Sequence, residues 1–266
     1  MIPYVVAPAV HLGPYAIPVY GVLLFSSILV GHSIILRRAV GSGLDDGATR
    51  ELIFWCTIAG LSGSHLWWLA SLATPAIAND IFSLHGMVSF GGILGISTGI
   101  FILTLLKRPQ VPRGMVLKWF DAATYAMVFG FCIGRIGCAL EHDHLGIRSR
   151  SILAVAFPGG SRFDLGLLEV LFLIPLAIAV WFAGRRSWSS GFLSGTIFMI
   201  YGIFRVCLDS VRLERAYIFG ISEDIWGGGV MILLGFIGLL LSGREEIGGT
   251  SRISTFSNPP ANSTQR

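Results

Sequence analysis

Charged residues are scarce in this sequence: Asp, Glu, Lys and Arg account for 13% of its 266 residues, about half the share that a soluble domain carries. Hydrophobic residues account for 53%, and the mean hydropathy is +0.74. This composition excludes an ordinary soluble domain and indicates a polytopic membrane protein. The net charge of +4 therefore bears on membrane orientation and anionic lipids, and it does not indicate a nucleic-acid partner.

Cysteine is rare as well, and several familiar motifs are missing. The four cysteines all fall inside apolar segments, which excludes a secreted disulfide framework and predicts free, buried thiols. The first 18 residues lack a basic region and a small-residue cleavage pattern, so we expect the N-terminus to be retained. The sequence contains no G-x-S-x-G, Walker or dinucleotide motif.

Seven apolar segments are long enough to cross a bilayer as helices. They cover about residues 19–36, 52–72, 86–106, 119–139, 166–183, 192–211 and 225–242. The predicted fold is therefore an all-α polytopic membrane protein with one seven-helix domain over residues 1–242 and a disordered cytoplasmic tail over 243–266. Glycine is frequent, and GGILG at 91–95 predicts a closely packed helix face.

The distribution of lysine and arginine predicts the orientation. Loops 37–51, 107–118 and 184–191 and the tail hold twelve of these residues, whereas the opposite side holds five. The positive-inside rule then places the N-terminus outside and the C-terminus in the cytoplasm. We expect the bundle to work as a monomer.

Two arginines, Arg135 and Arg205, lie inside apolar segments. An arginine in hydrocarbon costs about 2.5–3.5 kcal/mol on insertion scales, so it indicates a functional site with a partner. The guanidinium group suits bidentate binding of phosphate, and a phospholipid supplies phosphate at that depth. The alternative for Arg135 is a structural hydrogen bond to loop carbonyls.

Further polar residues cluster near the predicted outer ends of these segments. Arg205, Asp209 and Arg212 follow i, i+4, i+7 spacing, which predicts either one site-facing helix face or an intrahelical ion-pair ladder. Glu141, His142, Asp143 and His144 form a continuous polar run. Histidine and carboxylate are zinc ligands, but adjacent residues rarely converge on one ion, so we expect a polar site mouth with no metal and no cofactor.

Four segments resemble the bacterial prolipoprotein diacylglyceryl transferases. They are PVYGVLL at 18–24, SFGGILG at 89–95, GRIGCALEHDHLG at 134–146 and YGIFRVCLDSVR at 201–212. The resemblance implies a multi-pass enzyme of the bacterial inner membrane that needs no metal or nucleotide. It would move the diacylglyceryl group of phosphatidylglycerol to the thiol of a lipobox cysteine in a prolipoprotein signal peptide and release glycerol phosphate.

The resemblance also implies a set of site residues. Arg135 and Arg205 match the arginines that engage the phospholipid head group, and Asp143 matches a loop glutamate. The predicted catalytic residues are Arg135, Arg205, Asp143 and His142. The predicted substrate-binding residues are Tyr20, His85, Glu141, Gly146, Glu169, Tyr201, Asp209 and Arg212.

The sequence departs from the family pattern on the side of the acceptor thiol. Phe90 replaces a histidine that is proposed to help activate the thiol, and Cys138 and Glu141 replace asparagines. His65 replaces an arginine of the second segment, and RFDLGLL at 162–168 replaces a His-Pro-x-Gln stretch. The candidate bases are therefore His142, His144, Asp143 and His85. A thiol with a pKa of about 8.5 is mostly protonated at neutral pH, so it needs such a group.

The departures leave two alternatives to lipoprotein modification. One is a transferase on the same scaffold with a non-thiol acceptor, such as a small alcohol or amine. The other is a non-catalytic membrane protein in which the arginines hold a phospholipid. Cys138 is either inert packing or a reactive thiol.

Overall fold

The structure is a computed structural model that describes residues 1–6, 10–12, 15–17, 19–71, 89–106, 113–215 and 217–253. His85, one of the predicted site residues, lies outside the described residues. Seven long helices form the body of the part of the chain that the structure describes. They are α1 (Val19–Gly41), α2 (Asp46–Ser71), α3 (Ser89–Leu106), α4 (Arg113–Glu141), α5 (Leu165–Ala183), α6 (Phe192–Asp209) and α7 (Glu223–Ile253).

The helical prediction is confirmed, and within the described residues six helices are long and apolar enough to cross a membrane. These are all the helices except α3. Large apolar side chains such as Phe25, Phe54, Phe182 and Phe236 are more than half exposed. Such a surface is unfavourable in water and is normal against lipid, so the protein is a multi-pass membrane protein. Helix α7 continues to Ile253, past the position where the disordered tail was predicted to begin.

Glycine allows two helix pairs to approach closely. In the α6–α7 pair, a Cβ added to Gly195 would lie 2.9 Å from the carbonyl oxygen of Gly235, and one added to Gly202 would lie 2.8 Å from that of Gly228. The predicted GGILG face of α3 is confirmed in the same way, because Gly91 and Gly95 both abut Gly63 of α2. Any larger side chain at these positions would push the helices apart.

The predicted polar loop at 140–165 folds as a small sheet, which the helical prediction did not include. Its strands are β1 (Ile2–Pro3), β4 (Leu145–Arg148), β5 (Val155–Ala156) and β6 (Arg162–Asp164), in the order β1-β5-β6-β4. Two hairpins accompany it: β2 (Val10–Leu12) with β3 (Tyr15–Ile17), and β7 (Tyr217–Ile218) with β8 (Ile221–Ser222). Because β1 pairs in parallel with β5, the N-terminal segment lies beside the 145–164 region.

All four cysteines are free, as predicted. Their predicted burial is wrong for Cys207, which is exposed on α6, whereas Cys138 is buried. Cys138 lies near the end of α4 at the sheet side of the bundle, where the candidate site is built.

Candidate active site

A buried carboxylate, that of Glu169 on α5, is the centre of the candidate site. Its Oε2 lies 2.8 Å from Nε of Arg135 on α4, and its Oε1 lies 3.1 Å from Nη1 of Arg205 on α6. The hydroxyl of Tyr201, also on α6, donates to Oε1 over 2.5 Å. One carboxylate therefore orients two guanidinium groups that the sequence places in separate apolar segments.

The ion pairs continue from Arg205 to α7. Arg205 Nη2 contacts Asp224, and Arg212 Nε lies 2.6 Å from Asp224 Oδ2. Arg135, Glu169, Arg205, Asp224 and Arg212 thus form an alternating chain of three cations and two anions, with one guanidinium in excess. The side chains of Arg135, Arg205 and Arg212 are 12%, 14% and 20% exposed, respectively, so a ligand can still reach them.

The spacing of Arg205, Asp209 and Arg212 predicted one shared helix face, either facing the site or forming an ion-pair ladder, and that shared face is wrong. Helix α6 ends at Asp209, so Arg212 leaves the helical register and lies in a bridge opposite Gly146. The buried Asp209 carboxylate instead accepts a hydrogen bond from Ser222 over 2.5 Å and lies 3.2 Å from Nε of Arg215. Asp209 therefore fastens the segment between α6 and α7, and its predicted contact with substrate has no support in this geometry.

A thiol, a carboxylate and an imidazole converge on the other side of Arg135. Arg135 Nη1 lies 3.5 Å from Sγ of Cys138, and the side-chain ligand atoms of Cys138, Asp143 and His144 all lie within 4.8 Å of one another. Asp143 and His144 remain 42% and 34% exposed. Burial lowers the pKa of His144 below its usual value against the opposing effect of Asp143, which favours the neutral imidazole.

His142 has a different environment from the rest of the polar run. Its Nδ1 lies 2.5 Å from Asp164, its Nε2 lies 3.1 Å from the carbonyl oxygen of Val5, and its ring stacks on Tyr4 at 4.6 Å. Both nitrogens face acceptors, so neither is available to take a proton from a substrate. The backbone of His142 has φ +55°, a left-handed conformation that reverses the chain after α4.

The remaining predicted residues differ in how they relate to the site. Half-buried Tyr20 of α1 packs on Gly137, where an added Cβ would lie 3.0 Å from its ring. Gly146 is a packing residue, since an added Cβ would lie 2.8 Å from Cβ of Phe163. Glu141 is exposed at the end of α4.

Three charged residues that the sequence prediction missed also shape the site: Asp164, Arg215 and Asp224. Asp224 follows a polar Ser-Glu pair at the start of the seventh apolar segment, on the predicted side of the other site residues. This position is the sequence feature from which Asp224 could have been predicted. Asp164 ends strand β6 and Arg215 lies in the segment after α6, where spacing along a helix gives no indication of a partner.

The helices and the buried arginines define a multi-pass membrane protein with a cationic polar centre inside its bundle. A sequence model of the prolipoprotein diacylglyceryl transferase family matches residues 7–241, and the protein belongs to that family. A relative from Rhizobium leguminosarum bv. trifolii, named phosphatidylglycerol–prolipoprotein diacylglyceryl transferase, is 27% identical over 89% of this chain and 92% of its own.

Two further relatives carry the same name. The one from Thermotoga petrophila is 24% identical over 87% of this chain and 83% of its own. The one from Thermus thermophilus is 33% identical over 48% of this chain and 46% of its own. The similarity thus extends over most of the helical body, including the segments that carry the candidate site.

Proposed function

We propose that this protein transfers the diacylglyceryl group of phosphatidylglycerol to the thiol of a lipobox cysteine in a prolipoprotein, in the bacterial inner membrane. The observation that carries the proposal is the alternating ion-pair chain from Arg135 to Arg212, which ends with one guanidinium in excess. The phosphodiester of phosphatidylglycerol carries one negative charge, so it can pair with the guanidinium groups of this chain of ion pairs. Family membership supplies the reaction class.

Arg135 and Arg205 are proposed to bind the phosphate that leaves. In the reaction the sulfur of the thiol forms a bond to the glycerol carbon of the diacylglyceryl group, and the bond from that carbon to the phosphate oxygen breaks. Glycerol phosphate departs with the electron pair of that bond and with the added negative charge. Fixed guanidinium groups stabilise this charge best where water is excluded, and both arginine side chains are less than one-fifth exposed.

The groups around the arginines are proposed to position them and the head group. Glu169 and Tyr201 fix the guanidinium planes through the contacts described above. Among the described residues, Oε1 of Glu223 is buried without a hydrogen-bond partner. A hydroxyl of the glycerol head group is a donor that would satisfy it.

Asp143 and His144 are the candidates for handling the acceptor thiol. Both are partly exposed at the mouth of the site, and the lowered pKa of His144 keeps its imidazole able to accept a proton. His142 is proposed to position them, because its left-handed backbone turns the chain back over the last turn of α4.

We also propose seven spans with the N-terminus outside, and strand pairing supports this count. Strand β1 pairs with β5, so residues 2–3 and 155–156 lie on one side of the membrane. An even number of crossings must separate them, and α1, α2 and α4 alone give an odd number. A crossing by α3 would make the number even, and this supports the proposed seven spans. The proposed transferase domain covers residues 1–242 and acts as a monomer.

The test is an assay of purified protein with radiolabelled phosphatidylglycerol and a lipobox peptide, following both thioether product and released glycerol phosphate. We expect Arg135→Ala to lower the rate by at least about 100-fold, the range for loss of one preorganised charge-stabilising donor. Arg150→Ala is the control, because Arg150 is an exposed arginine of the 145–164 region. It should transfer at the parental rate.

The products separate the candidate functions. Thioether that disappears when the peptide cysteine is changed to serine supports lipoprotein modification. Glycerol phosphate without thioether indicates another acceptor. If neither product forms while lipid still co-purifies, the protein is a phospholipid-binding protein and the proposal is wrong.

A further inference from the structure

Two adjacent arginines, Arg185 and Arg186, lie at the end of the bundle opposite the candidate site, and we call them the distal arginine pair. They follow Ala183, the last residue of α5, which lies fourteen residues after Glu169 on that helix. At about 1.5 Å per residue, this distance is about 21 Å along the helix axis. Both arginines are exposed, and within the described part of the chain neither forms an ion pair.

Aromatic rings hold the guanidinium of Arg185 in a fixed plane. Its Cζ lies 3.7 Å from the centroid of the Trp181 ring and 5.5 Å from that of Phe182. Stacking of this kind covers the flat face of the guanidinium and leaves the N–H groups at its edge able to donate. Trp188 is fixed as well, because its Nε1 donates to the carbonyl oxygen of Ala183 over 2.8 Å.

The distal arginine pair opens on a cavity of about 440 Å³, which is lined by Phe182, Ala183, Arg185, Arg186 and Trp188. This volume lies within the range of about 300–1,000 Å³ that is usual for small-molecule sites. Its walls combine two cations with aromatic surface. Such a lining fits a ligand that is both anionic and apolar.

The end of a helix ordinarily disfavours an anion, because its last carbonyl groups carry partial negative charge. Here these groups already accept hydrogen bonds. The carbonyl oxygen of Ala183 accepts from Trp188 and from the backbone N–H of Arg186, and that of Gly184 accepts from Nη1 of Arg38 over 3.1 Å. Arg38 also adds a third guanidinium at this turn, so the helix end does not prevent an anion from binding.

An acid at this end of the bundle, Asp121 of α4, is already engaged. Its Oδ2 accepts from the backbone N–H of Gly191 over 2.7 Å, and its Oδ1 accepts from that of Ser194 over 2.8 Å. Asp121 therefore serves the first turn of α6, where carboxylates are favourable. It leaves the distal arginine pair available to a ligand.

An exposed apolar stripe on α5 leads to the distal arginine pair. Its members lie three or four residues apart on one helix face: Leu171, Ile174, Ile178 and Phe182. From its first residue to its last, the stripe is about 16 Å long. This is about half of a hydrocarbon core of about 30 Å, which is the depth of one leaflet. A lipid acyl chain would therefore cover the stripe when its head group lies at the arginines.

We propose that Arg185 and Arg186 bind the phosphate of an anionic phospholipid in the leaflet opposite the candidate active site, with an acyl chain along the α5 stripe. In the orientation proposed above, this is the cytoplasmic leaflet. Guanidinium groups suit phosphate, and the apolar stripe favours a phospholipid over free phosphate. The lipid is a bound ligand and takes no part in the reaction. The proposal does not depend on the proposed function.

The test measures lipid binding to purified full-length protein in a neutral detergent. The protein is titrated with dioleoyl phosphatidylglycerol, and native mass spectrometry counts the lipids that stay bound. The Arg135→Ala protein, with its candidate active site weakened, should still bind one. Adding Arg185→Gln and Arg186→Gln should weaken that binding by about 30-fold, since each arginine near an anionic lipid contributes about fivefold.

The same loss in protein that keeps Arg135 would show that the affected lipid is not the one at the candidate active site. Arg148→Gln with Arg150→Gln is the matched control, because it changes two exposed arginines on the sheet side. This control should bind phosphatidylglycerol at parental affinity.

Two further measurements test the fixed guanidinium and the charge of the ligand. Trp181→Leu should weaken binding by about two- to fivefold, because it removes the ring on which Arg185 stacks. Dioleoyl phosphatidylcholine, which has the same acyl chains and no net charge, should bind at least about fivefold more weakly than phosphatidylglycerol.

Three outcomes would overturn the distal lipid site. They are parental binding of phosphatidylglycerol after both glutamine substitutions, equal binding of phosphatidylcholine, and displacement of the lipid by millimolar inorganic phosphate. None of these measurements follows transfer, so any of them would leave the transferase proposal intact. Conversely, a protein that binds lipid through Arg185 and Arg186 but transfers no diacylglyceryl group would refute the proposed function and support this site.

Discussion

Replacing Glu169 with glutamine tests whether one carboxylate holds the two arginines that we propose to bind phosphate. The carboxylate accepts from Arg135 through Oε2 and from Arg205 and Tyr201 through Oε1. Glutamine offers a single acceptor oxygen, so its amide NH₂ must face a donor. The least costly orientation keeps the oxygen on Arg135 and turns NH₂ toward Tyr201, whose hydroxyl can accept. Arg205 then retains Asp224 alone.

The expected loss in free energy of unfolding follows from the hydrogen bond and the ion pair that the glutamine cannot make. A hydrogen bond to a charged group contributes about 1.5–3 kcal/mol, and removing one partner of a buried ion pair costs about 3–5 kcal/mol. Arg205 keeps a second carboxylate, so we expect the lower end of that range, about 3 kcal/mol. If the same energy is lost from binding the leaving phosphate, transfer slows by about 100-fold.

Two measurements test this prediction. Unfolding of the Glu169→Gln protein in mixed micelles measures the loss of stability, and the rate of glycerol phosphate release measures the loss of transfer activity. Tyr201→Phe is the companion variant, because it removes one hydrogen bond and leaves both ion pairs. It should cost less stability than Glu169→Gln. If Glu169→Gln unfolds at the parental denaturant concentration and transfers at the parental rate, the carboxylate does not organise the arginines and this reasoning fails.

Three further substitutions test the scaffold. Gly146→Ala should destabilise the protein by about 1–3 kcal/mol, measured by unfolding in micelles, because its Cβ would lie 2.8 Å from that of Phe163. Asp209→Ala should expose the segment between α6 and α7 to limited proteolysis, whereas unchanged cleavage would show that Asp209 does not fasten it. Gly202→Leu should lower the yield of folded protein, since an added Cβ would already lie 2.8 Å from the carbonyl oxygen of Gly228; a parental yield would refute close α6–α7 packing.

The helices were predictable because the length of an apolar segment determines whether it can cross a membrane as a helix. The predicted segments include the six described helices that are long and apolar enough to cross a membrane. The costly position of Arg135 and Arg205 in apolar surroundings correctly indicated a polar centre. Their carboxylate partner, Glu169, was among the predicted residues. Depth and residue type are properties of the sequence itself, so they required no knowledge of how the helices pack.

Contacts that depend on helix ends were not predictable. Extending the helical spacing to Arg212 led to the wrong prediction of a shared helix face, because the structure ends α6 at Asp209 and gives Arg212 a strand-like bridge to Gly146. Likewise, the left-handed backbone of His142 could not be read from its neighbours. That single reversal takes His142 toward Asp164 and brings Asp143 and His144 to Cys138.

Arg135 connects the two halves of the site, which gives the sequence departures a structural meaning. Its guanidinium contacts Glu169, beside the arginines proposed to bind phosphate, and Cys138, beside the residues proposed to handle the thiol. We propose that Arg135 and Arg205 serve the phosphate, since guanidinium groups suit the charge of the lipid head group. The thiol side differs at Phe90 and Cys138, and a lost base can be replaced by any group that generates a thiolate within reach of Arg135. Asp143 and His144 are the groups that we propose for this task, and their side-chain ligand atoms lie within 4.8 Å of Sγ of Cys138.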